Sequence, residues 1–471
     1  MVDHNAIEVS GFVDRQKLNT FHLLTVILCF LILFADGLDF SAANVAAPAI
    51  LRAFHAEKSA MGFVFGWGYF GIFVGSLFFG YIGDRFGRKV GAISGVLAYS
   101  LPALATVFAS SLDQLALLRF LAGLGIGGVI PNTVALLNET APTRFRASFV
   151  MVAFLGYSAG IASTGLIAAR FLSEFGWPVV FLAAGIAGTV LGIVLAFVLP
   201  ESVRFLTLAA PDSPRLRILL ARIAPESPVD AHARFFLHED TKRKFSIRLL
   251  FTGNRWMATS LLWVGYFAEA LTFMTLSSWL PLLLESAGLR PVQASLAFSY
   301  SAFGAIAAIL LLSRLLDKFG PMVALVSTVS CIVMLIFLGR PAASFGAIMT
   351  AAILAFSFSS GTHTSLNATV GAFYPTGIRG NGVGYATGMG RIAGIVGPVV
   401  TGLLLSAKLP LRPMLYLIAA PYVIVAIVFF GLGILYNRGL SGGVTDDAPR
   451  YESVLKMDPL HISTSKESSL D

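Results

Sequence analysis

The chain has 471 residues, of which 56% are hydrophobic and only 12% are charged, and its formal net charge is +8. Soluble globular proteins carry about 25% charged residues, so the composition excludes an ordinary water-soluble protein. Apolar runs recur along almost the whole length, and a run of about 20 residues can cross a bilayer as a helix. Segments of about ten residues with alternating polarity, typical of membrane β-barrels, do not occur. The composition therefore predicts an all-α membrane protein.

Twelve apolar spans follow one another along the chain. They are predicted at residues 21–46, 59–82, 90–109, 114–137, 148–168, 178–199, 257–283, 293–313, 322–339, 345–369, 382–406 and 413–436. A single long polar segment separates the first six from the last six. The predicted organisation is an N-terminal tail (1–20), a six-helix bundle (21–199), a central loop (200–256), a second six-helix bundle (257–436) and a C-terminal tail (437–471).

The lysines and arginines are distributed unevenly between the two sides of this topology. The side that carries both termini holds 24 of the 33, and the other side holds 7. Positive residues concentrate in the cytoplasmic loops of membrane proteins. We therefore predict a multi-pass protein of the inner (cytoplasmic) membrane with cytoplasmic termini. The basic residues are spread over loops, so nucleic acid is not an expected partner.

The two halves of the chain repeat at a constant offset of 233 residues. The stretch "FADGLDF" (34–40) aligns with "FAEALTF" (267–273), and Asp84 aligns with Asp317, each followed two residues later by Phe-Gly. Six spans return the chain to its starting side, so the repeat is parallel, with its axis along the membrane normal. Such a repeat predicts a binding site between the halves near the midplane.

Two aspartates, Asp36 and Asp39, lie inside the first apolar span. Each ionised aspartate at the centre of a membrane helix costs roughly 2.5–3.5 kcal/mol, which points to a function. Residues i and i+3 share a helix face, so both are expected to point into one water-filled cavity between the halves. Adjacent carboxylates resist double ionisation, and such a carboxyl can carry a proton. The alternative is a structural role, such as capping a helix broken at Gly37.

Three more polar side chains lie within the second group of spans. Arg391 can grip a carboxylate through two donors and is the first candidate for an anionic substrate; the alternative is an ion pair that holds helices together. Glu269 is the repeat mate of Asp36 and is expected to face the same cavity. There it would bind a proton or a substrate hydroxyl, or else pair with a neighbour. His363 is either a packed histidine, a proton relay or a substrate contact.

Aromatic side chains in the cavity could stack on an aromatic ring. The candidates are Trp67, Tyr69, Phe267, Trp279 and Tyr385, although any single one is more often a packing residue. No metal-ligand cluster and no nucleophile–base motif is visible, so we expect no metal, no cofactor and no enzyme activity. Both cysteines, Cys29 and Cys331, lie in apolar spans and are expected to be unpaired.

Five stretches of sequence resemble those of a known family. "GYIGDRFGRKV" (80–90) and "RFLAGLGIGGVIPN" (119–132) resemble the signature motifs of the major facilitator superfamily. "DGLD" (36–39), "LPESVRFL" (199–206) and "TSLNATVGAFYPTGIRGNGVGYATGMGRIAGIVGP" (364–398) narrow the likeness to the aromatic acid/proton symporter family. The likeness extends from about residue 20 to residue 436 and implies twelve transmembrane helices in two six-helix pseudo-symmetric bundles.

The resemblance also implies roles for individual residues. Asp36 and Asp39 correspond to aspartates that are needed for transport, and Arg391 corresponds to the arginine of the last motif. Arg119 resembles a fourth-span arginine associated with proton coupling; the alternative is an arginine that snorkels to the outer interface. The residues that gate conformational change, without touching the substrate, would be Asp84, Arg85, Arg88 and Asp317.

The resulting hypothesis is a monomeric carrier that imports a small aromatic carboxylate with protons through the lipid bilayer. The stretch "GYSAGIASTG" (156–165) lacks the Gly-Pro of proton antiporters, which favours uptake over export. Glu269 and His363 depart from the family pattern and leave the substrate open. Another organic acid such as a dicarboxylate is the alternative, although Glu269 counts against a second negative charge. A membrane sensor would need a signalling domain, and the tail after Tyr436 is too short and polar to be one.

Overall fold

The computed structural model describes residues 6–226, 233–237, 247–252, 255–319, 322–340, 344–374, 376–407 and 409–437. The predicted C-terminal tail beyond residue 437 lies outside these described residues, as does the side chain of Asp317.

The described chain is almost entirely helical. Its helices are α1 (Val9–Asp14), α2 (Thr20–Ala53), α3 (Lys58–Phe86), α4 (Arg88–Ala105), α5 (Leu112–Thr140), α6 (Thr143–Phe175), α7 (Pro178–Val198), α8 (Val203–Ala209), α9 (Pro214–Ile223), α10 (Arg255–Ser286), α11 (Pro291–Phe319), α12 (Met322–Leu338), α13 (Phe345–Val370), α14 (Thr376–Ser406) and α15 (Leu411–Asn437). In the described part of the chain, eleven helices are long and apolar enough to cross a membrane, and the shorter apolar helix α12 makes twelve. The prediction of a twelve-helix membrane fold is confirmed.

Capping side chains define where several of these helices begin. The Asn19 side chain accepts hydrogen bonds from the backbone at the start of α2. The hydroxyl of Ser111 does the same for α5, and that of Ser344 for α13. Each cap satisfies backbone N–H groups that a helix start leaves without partners. Between α3 and α4 the chain turns at Gly87, whose φ of 106° favours glycine.

The N-terminal segment and the central loop fold together on one side of the molecule, here named the loop side; the opposite side is the far side. Strand β1 (Ala6–Glu8) pairs in parallel with strand β2 (Arg234–Phe236). Helices α1, α8 and α9 pack beside them around a small apolar cluster: Val9, Val13, Val203, Leu216, Leu219, Leu220, Ile223, Ala233 and Phe235. The side-chain amide of Asn19 donates to the backbone oxygens of Arg222 and Ile223 at 2.9 and 3.0 Å.

Asp14 fastens this loop-side cluster to the N-terminal bundle. Its carboxylate accepts hydrogen bonds from the backbone N–H and the hydroxyl of Thr143, at the start of α6, at 2.8 and 2.6 Å. Arg146 lies 3.5 Å from the same carboxylate. Burial acts to raise the pKa of Asp14, but the bonds from Thr143 and the charge of Arg146 outweigh it, so the pKa lies below its ordinary value.

Two equivalent helix contacts join the bundles, α3 with α14 and α6 with α11. A Cβ atom at Gly66 would lie 2.6 Å from Val399, and one at Gly165 would lie 2.2 Å from the Ser299 hydroxyl. Only glycine allows these approaches without a shift of the neighbouring residue. Gly66 and Ser299 are repeat mates, being 233 residues apart. The repeat in the sequence is therefore also a repeat in the packing.

The polar contacts that the described residues make between bundles lie on the far side or at mid-height. Arg52 and Glu285, themselves 233 residues apart, form an ion pair at 2.6 Å. A pair between equivalent positions lies beside the axis that relates two halves. The Ser59 N–H donates to the hydroxyl of Ser406 at 2.7 Å. The bundles are thus joined at their far-side ends.

We expect Gly75→Ala to destabilise the N-terminal bundle. A Cβ atom there would lie 2.0 Å from the Leu124 carbonyl oxygen, so α3 and α5 would have to separate. Gly80 is the matched control on the same helix, because a Cβ atom there meets nothing within 4 Å, and Gly→Ala in a helix gains about 1 kcal/mol. Thermal unfolding of the purified variants measures the difference. Equal melting temperatures for the two alanine variants would contradict the close approach.

Replacing Asp14 by Asn should loosen the loop-side cluster at neutral pH only. A lowered folded-state pKa contributes stability that is present above the unfolded value, about 3.9, and is lost as the pH falls through the folded value. The wild type should therefore resist proteolysis of its N-terminal segment better than the variant at neutral pH, and equally at strongly acidic pH. The exposed Asp212 supplies the control Asp212→Asn. A wild-type advantage that persists in acid would refute the ion-pair explanation.

Candidate functional site

Asp36 and Asp39 lie on one face of α2, as their spacing predicts, but they are 0% and 1% exposed. The expectation of a shared water-filled cavity between the halves is wrong for this structure. Both lie inside the N-terminal bundle because small residues bring α6 against α2: a Cβ atom at Gly37 would lie 2.1 Å from the Tyr157 carbonyl oxygen. Helix α2 continues unbroken through Gly37, so the proposed helix break is also wrong.

Asp39 forms a buried ion pair with Arg119 of α5. One guanidinium nitrogen lies 3.4 and 3.5 Å from the two carboxylate oxygens. The other terminal nitrogen donates to the hydroxyl of Thr106 at 3.2 Å, and the guanidinium stacks 4.7 Å above the ring of Phe181. Arg119 is only 5% exposed. It therefore does not snorkel to the outer interface, and its charge is balanced within the bundle.

Asp36 has no such partner. Neither of its oxygens accepts a hydrogen bond from a described residue. An uncompensated buried carboxylate costs several kcal/mol, whereas a neutral carboxylic acid does not carry that penalty. Tyr99 and Tyr157 lie in its electrostatic surroundings, and neither is a cation. This site can therefore hold one charge that Arg119 balances and one carboxyl group that is neutral.

A cavity of about 40 Å³ borders this ion pair. Its lining includes Asp39, Arg119 and Tyr69, and its volume is sufficient for a water molecule. The hydroxyl of Tyr69 is hydrogen-bonded to that of Ser278, in the other bundle, at 3.0 Å. Tyr69 thus connects the surroundings of the ion pair with the interface between bundles.

Glu269, at the equivalent position in the second bundle, is fully buried. Its expected exposure to the cavity is wrong, because α10 packs this side chain against His363 of α13. The carboxylate lies 3.1 Å from the Nδ1 atom of His363. The histidine side chain is 35% exposed, and its ring stacks on Phe273 with centroids 4.7 Å apart and planes 9° from parallel. His363, and not Glu269, is the accessible member of the pair.

Arg391 lies midway along α14 and is exposed. Its guanidinium donates a hydrogen bond to the hydroxyl of Ser76, on α3 of the other bundle. No carboxylate within the described ranges lies at ion-pair distance from it, so the helix-holding ion pair is not observed there. Tyr385 lies nearer the loop side and stacks on Trp263 at 6.2 Å. Trp279 is fully buried, which removes it from the stacking candidates.

Charged residues at the loop side form a chain of contacts. Asp84 pairs with Arg88 at 2.6 Å, and Arg88 donates to Glu139 at 3.3 Å. Glu139 in turn accepts a hydrogen bond from Ser202 at the start of the central loop. Arg85 is exposed. The chain of contacts links three of the helices to the loop.

Two acidic residues of this region were missed by the sequence reasoning. Glu139 is one, and Glu201 is the other. Glu201 accepts the Lys89 N–H at 3.0 Å, and so it caps the start of α4. Burial raises the pKa of Glu201, although the backbone N–H groups partly oppose this. The sequence feature that could have identified Glu201 is its place in the stretch "LPESVRFL" (199–206).

The side chains that could bind a metal ion or form a disulfide are few in the described part of the chain. Within the described ranges, no three His, Cys, Asp or Glu side chains are grouped so as to hold a metal ion. Cys29 and Cys331 are both buried and free, so the expectation of unpaired cysteines is confirmed.

The sequence matches known transporters over most of its length. The profile of the Major Facilitator Superfamily matches residues 29–398, and a second match covers 262–452. A 4-hydroxybenzoate transporter of Pseudomonas aeruginosa is 32% identical over 85% of this chain and 90% of its own length. A gallate transporter of Pseudomonas putida is 31% identical over 91% and 95%. A benzoate transport protein of Acinetobacter baylyi is 31% identical over 86% and 88%.

Solved structures share the fold. A bacterial homologue of the human lysosomal transporter Spinster, described as inward-facing and occupied, superposes with a TM-score of 0.68 and 17% identity over 90% of this chain and 99% of that one. The xylose transporter of Escherichia coli, in a partially occluded inward-open conformation, gives a TM-score of 0.68 with 13% identity over 88% and 98%.

Two isosteric variants should show that the two aspartates differ in their contribution to stability. Asp39→Asn leaves Arg119 as an unpaired buried cation, and breaking a buried ion pair costs about 3–5 kcal/mol. Asp36→Asn replaces a neutral carboxyl by a neutral amide and should change stability little. Thermal unfolding in detergent at neutral pH, with and without each substitution, measures both effects. Equal destabilisation by the two variants would show that Asp36 is charged and has a partner.

Proposed function

The chain belongs to the major facilitator superfamily and, within it, to the aromatic acid/proton symporter family, and on that premise we propose that it imports an aromatic carboxylate together with protons. It is a transporter and not an enzyme. The relatives described above are named for 4-hydroxybenzoate, gallate and benzoate, each an aromatic ring with one carboxylate. A single chain holds both halves of the site, so we expect it to work as a monomer.

Arg391 carries the substrate part of the proposal. It is a permanent cation at mid-height, it is exposed, and its described partner is a neutral hydroxyl. A charge within a membrane protein needs a compensating group. The carboxylate of the substrate supplies one, with the planar geometry that a guanidinium binds through two donors. Because Ser76 belongs to the other bundle, a substrate held here lies between the moving halves.

Asp36 carries the proton in this proposal. Asp39 stays ionised beside Arg119, so its charge opposes ionisation of Asp36 and favours a neutral carboxyl. Asp39 is then a neighbour that sets the electrostatics and not a contact of the substrate. Loss of the proton leaves an uncompensated charge inside the N-terminal bundle, which favours rearrangement of the helices around it. Proton release and conformational change are thereby coupled.

The loop side is assigned to the cytoplasm, because it carries most of the lysines and arginines. Both termini and the central loop are then cytoplasmic in the inner membrane. The far-side contacts between bundles correspond to a carrier closed to the outside, and both solved structures above are described as facing inward. Transport requires the bundles to rock about the site. Asp84, Arg85 and Arg88 would control that exchange without touching the substrate.

Uptake of labelled 4-hydroxybenzoate by cells expressing the protein tests the proposal. Uptake should stop when a protonophore collapses the proton gradient. In Arg391→Lys the charge remains but the two-donor fork is lost, and a charge-assisted hydrogen bond is worth about 1.5–3 kcal/mol. The apparent KM should therefore rise about 10- to 100-fold. The exposed Arg290 provides the control Arg290→Lys.

Two results would overturn parts of this proposal separately. An unchanged KM in Arg391→Lys would remove this arginine from the substrate site. Accumulation that persists with the protonophore would remove proton coupling.

A further inference from the structure

We propose that Glu269 and His363 form a second proton-binding site, which offers a hydrogen-bond donor to the substrate only while it holds its proton. The inference rests on the proposed function, since it concerns how an aromatic acid is recognised in the second bundle. It assigns contact with the substrate to His363 and a positioning role to Glu269.

The two members of the pair differ in exposure to solvent. Glu269 is fully buried, and one of its oxygens lies 3.1 Å from His363 Nδ1. The histidine side chain is about one-third exposed. Phe273 stacks flat against the imidazole at 4.7 Å and fixes the plane of the ring. With Nδ1 engaged by the carboxylate, the second ring nitrogen, Nε2, is the one that a ligand can reach.

Glu269 lacks any other cation to balance it among the described residues. The titratable side chains that interact electrostatically with Glu269 include Tyr266 on α10, Cys331 on α12 and Tyr422 on α15, and Arg391 lies on the neighbouring helix α14. These four are bonded elsewhere, to Asn367, Ala355, Ser359 and Ser76 respectively. A proton shared with His363 is therefore the charge that compensates the carboxylate.

The pair has two arrangements with no net charge, and Nε2 carries a hydrogen in both. When Glu269 is ionised, His363 is an imidazolium with a hydrogen on each nitrogen. When Glu269 is protonated, its hydroxyl donates to Nδ1, so the neutral imidazole carries its hydrogen on Nε2. In either arrangement Nε2 is a donor. The recognition of a ligand does not depend on which of the two residues holds the proton.

Loss of the proton reverses this chemistry. The carboxylate is then ionised, the imidazole is neutral, and Nδ1 donates to Glu269. Nε2 is left as an acceptor, and the pair carries a net negative charge that repels an anionic substrate. Substrate binding and proton binding at this pair therefore favour each other, which is reciprocal linkage between two ligands.

The substrate group that suits this donor is an oxygen that accepts a hydrogen bond. On an aromatic carboxylate whose acid group is bound by Arg391, the remaining candidate is an oxygen substituent on the ring. The protonated pair should thus favour oxygen-bearing aromatic acids over unsubstituted benzoate. A methoxy group should serve as well as a hydroxyl, because acceptance and not donation is required.

Competition binding to the purified wild-type carrier tests this without any substitution. Labelled 4-hydroxybenzoate is displaced by unlabelled 4-hydroxybenzoate, 4-methoxybenzoate or benzoate over a range of pH. In acid, both oxygen-bearing acids should bind about 10-fold or more tightly than benzoate. In alkali the ratio for 4-methoxybenzoate should fall toward one, whereas the hydroxyl of 4-hydroxybenzoate can still donate to Nε2. Taking a ratio cancels the pH dependence that Asp36 imposes on all three acids. A 4-methoxybenzoate ratio that is constant with pH, or an advantage in acid that is confined to the hydroxyl acid, would overturn the inference.

Substitutions then assign the two roles. His363→Gln cannot titrate at this position, so the ratio should become independent of pH. Glu269→Gln removes the carboxylate that accepts from Nδ1, so the neutral imidazole can keep its hydrogen on Nε2, and the advantage of the oxygen-bearing acids should persist further into alkali than in the wild type. The exposed His55 gives the control His55→Gln, which should behave as the wild type. Retention of the wild-type profile by folded His363→Gln would overturn the assignment. Failure of every aromatic acid to compete would instead overturn the proposed function.

Discussion

The buried ion pair between Asp39 and Arg119 is the constraint on which the rest of the site depends. It fixes one charged carboxylate inside the N-terminal bundle, where Thr106 and Phe181 complete the surroundings of the guanidinium. Asp36, one helical turn away, then has neither a cation nor a hydrogen-bond donor among the described residues. The same helix thus carries a carboxylate that is compensated and a carboxyl that can exchange a proton. Close packing of α6 on α2 buries both side chains.

The two bundles differ in the side chain that compensates a buried carboxylate. Repeat symmetry places Glu269 where the first bundle has Asp36, and α3–α14 and α6–α11 contacts show that the symmetry extends to packing. The partners are not symmetric. An arginine beside the first site is always charged, whereas the histidine beside the second can gain or lose its charge at physiological pH. A carrier built this way has one bundle with a fixed counter-charge and one with a titratable counter-charge.

The sequence predicted the fold because the lengths of the apolar runs locate the membrane helices, and the 233-residue repeat relates one bundle to the other. The ends of the helices were harder to predict. Helix α6 begins at Thr143, before its predicted apolar span at 148–168, and polar residues in its first turn contact Asp14. The site was only partly accessible. The i, i+3 spacing placed Asp36 and Asp39 on one face, but burial of that face depends on glycine contacts between distant segments. Nothing in the sequence near Glu269 specifies that His363, 94 residues away, becomes its partner.

The proposed proton coupling requires that Asp36 be a neutral carboxylic acid beside an ionised Asp39. Infrared spectroscopy of the purified carrier observes it directly, because the C=O stretch of a protonated carboxyl is distinct from that of a carboxylate. At neutral pH the wild type should show a protonated-carboxyl band that disappears in Asp36→Asn, and the ionised form should appear as the pH is raised. If the band in the wild type is unaffected by Asp36→Asn, Asp36 does not hold the proton and the account of coupling fails.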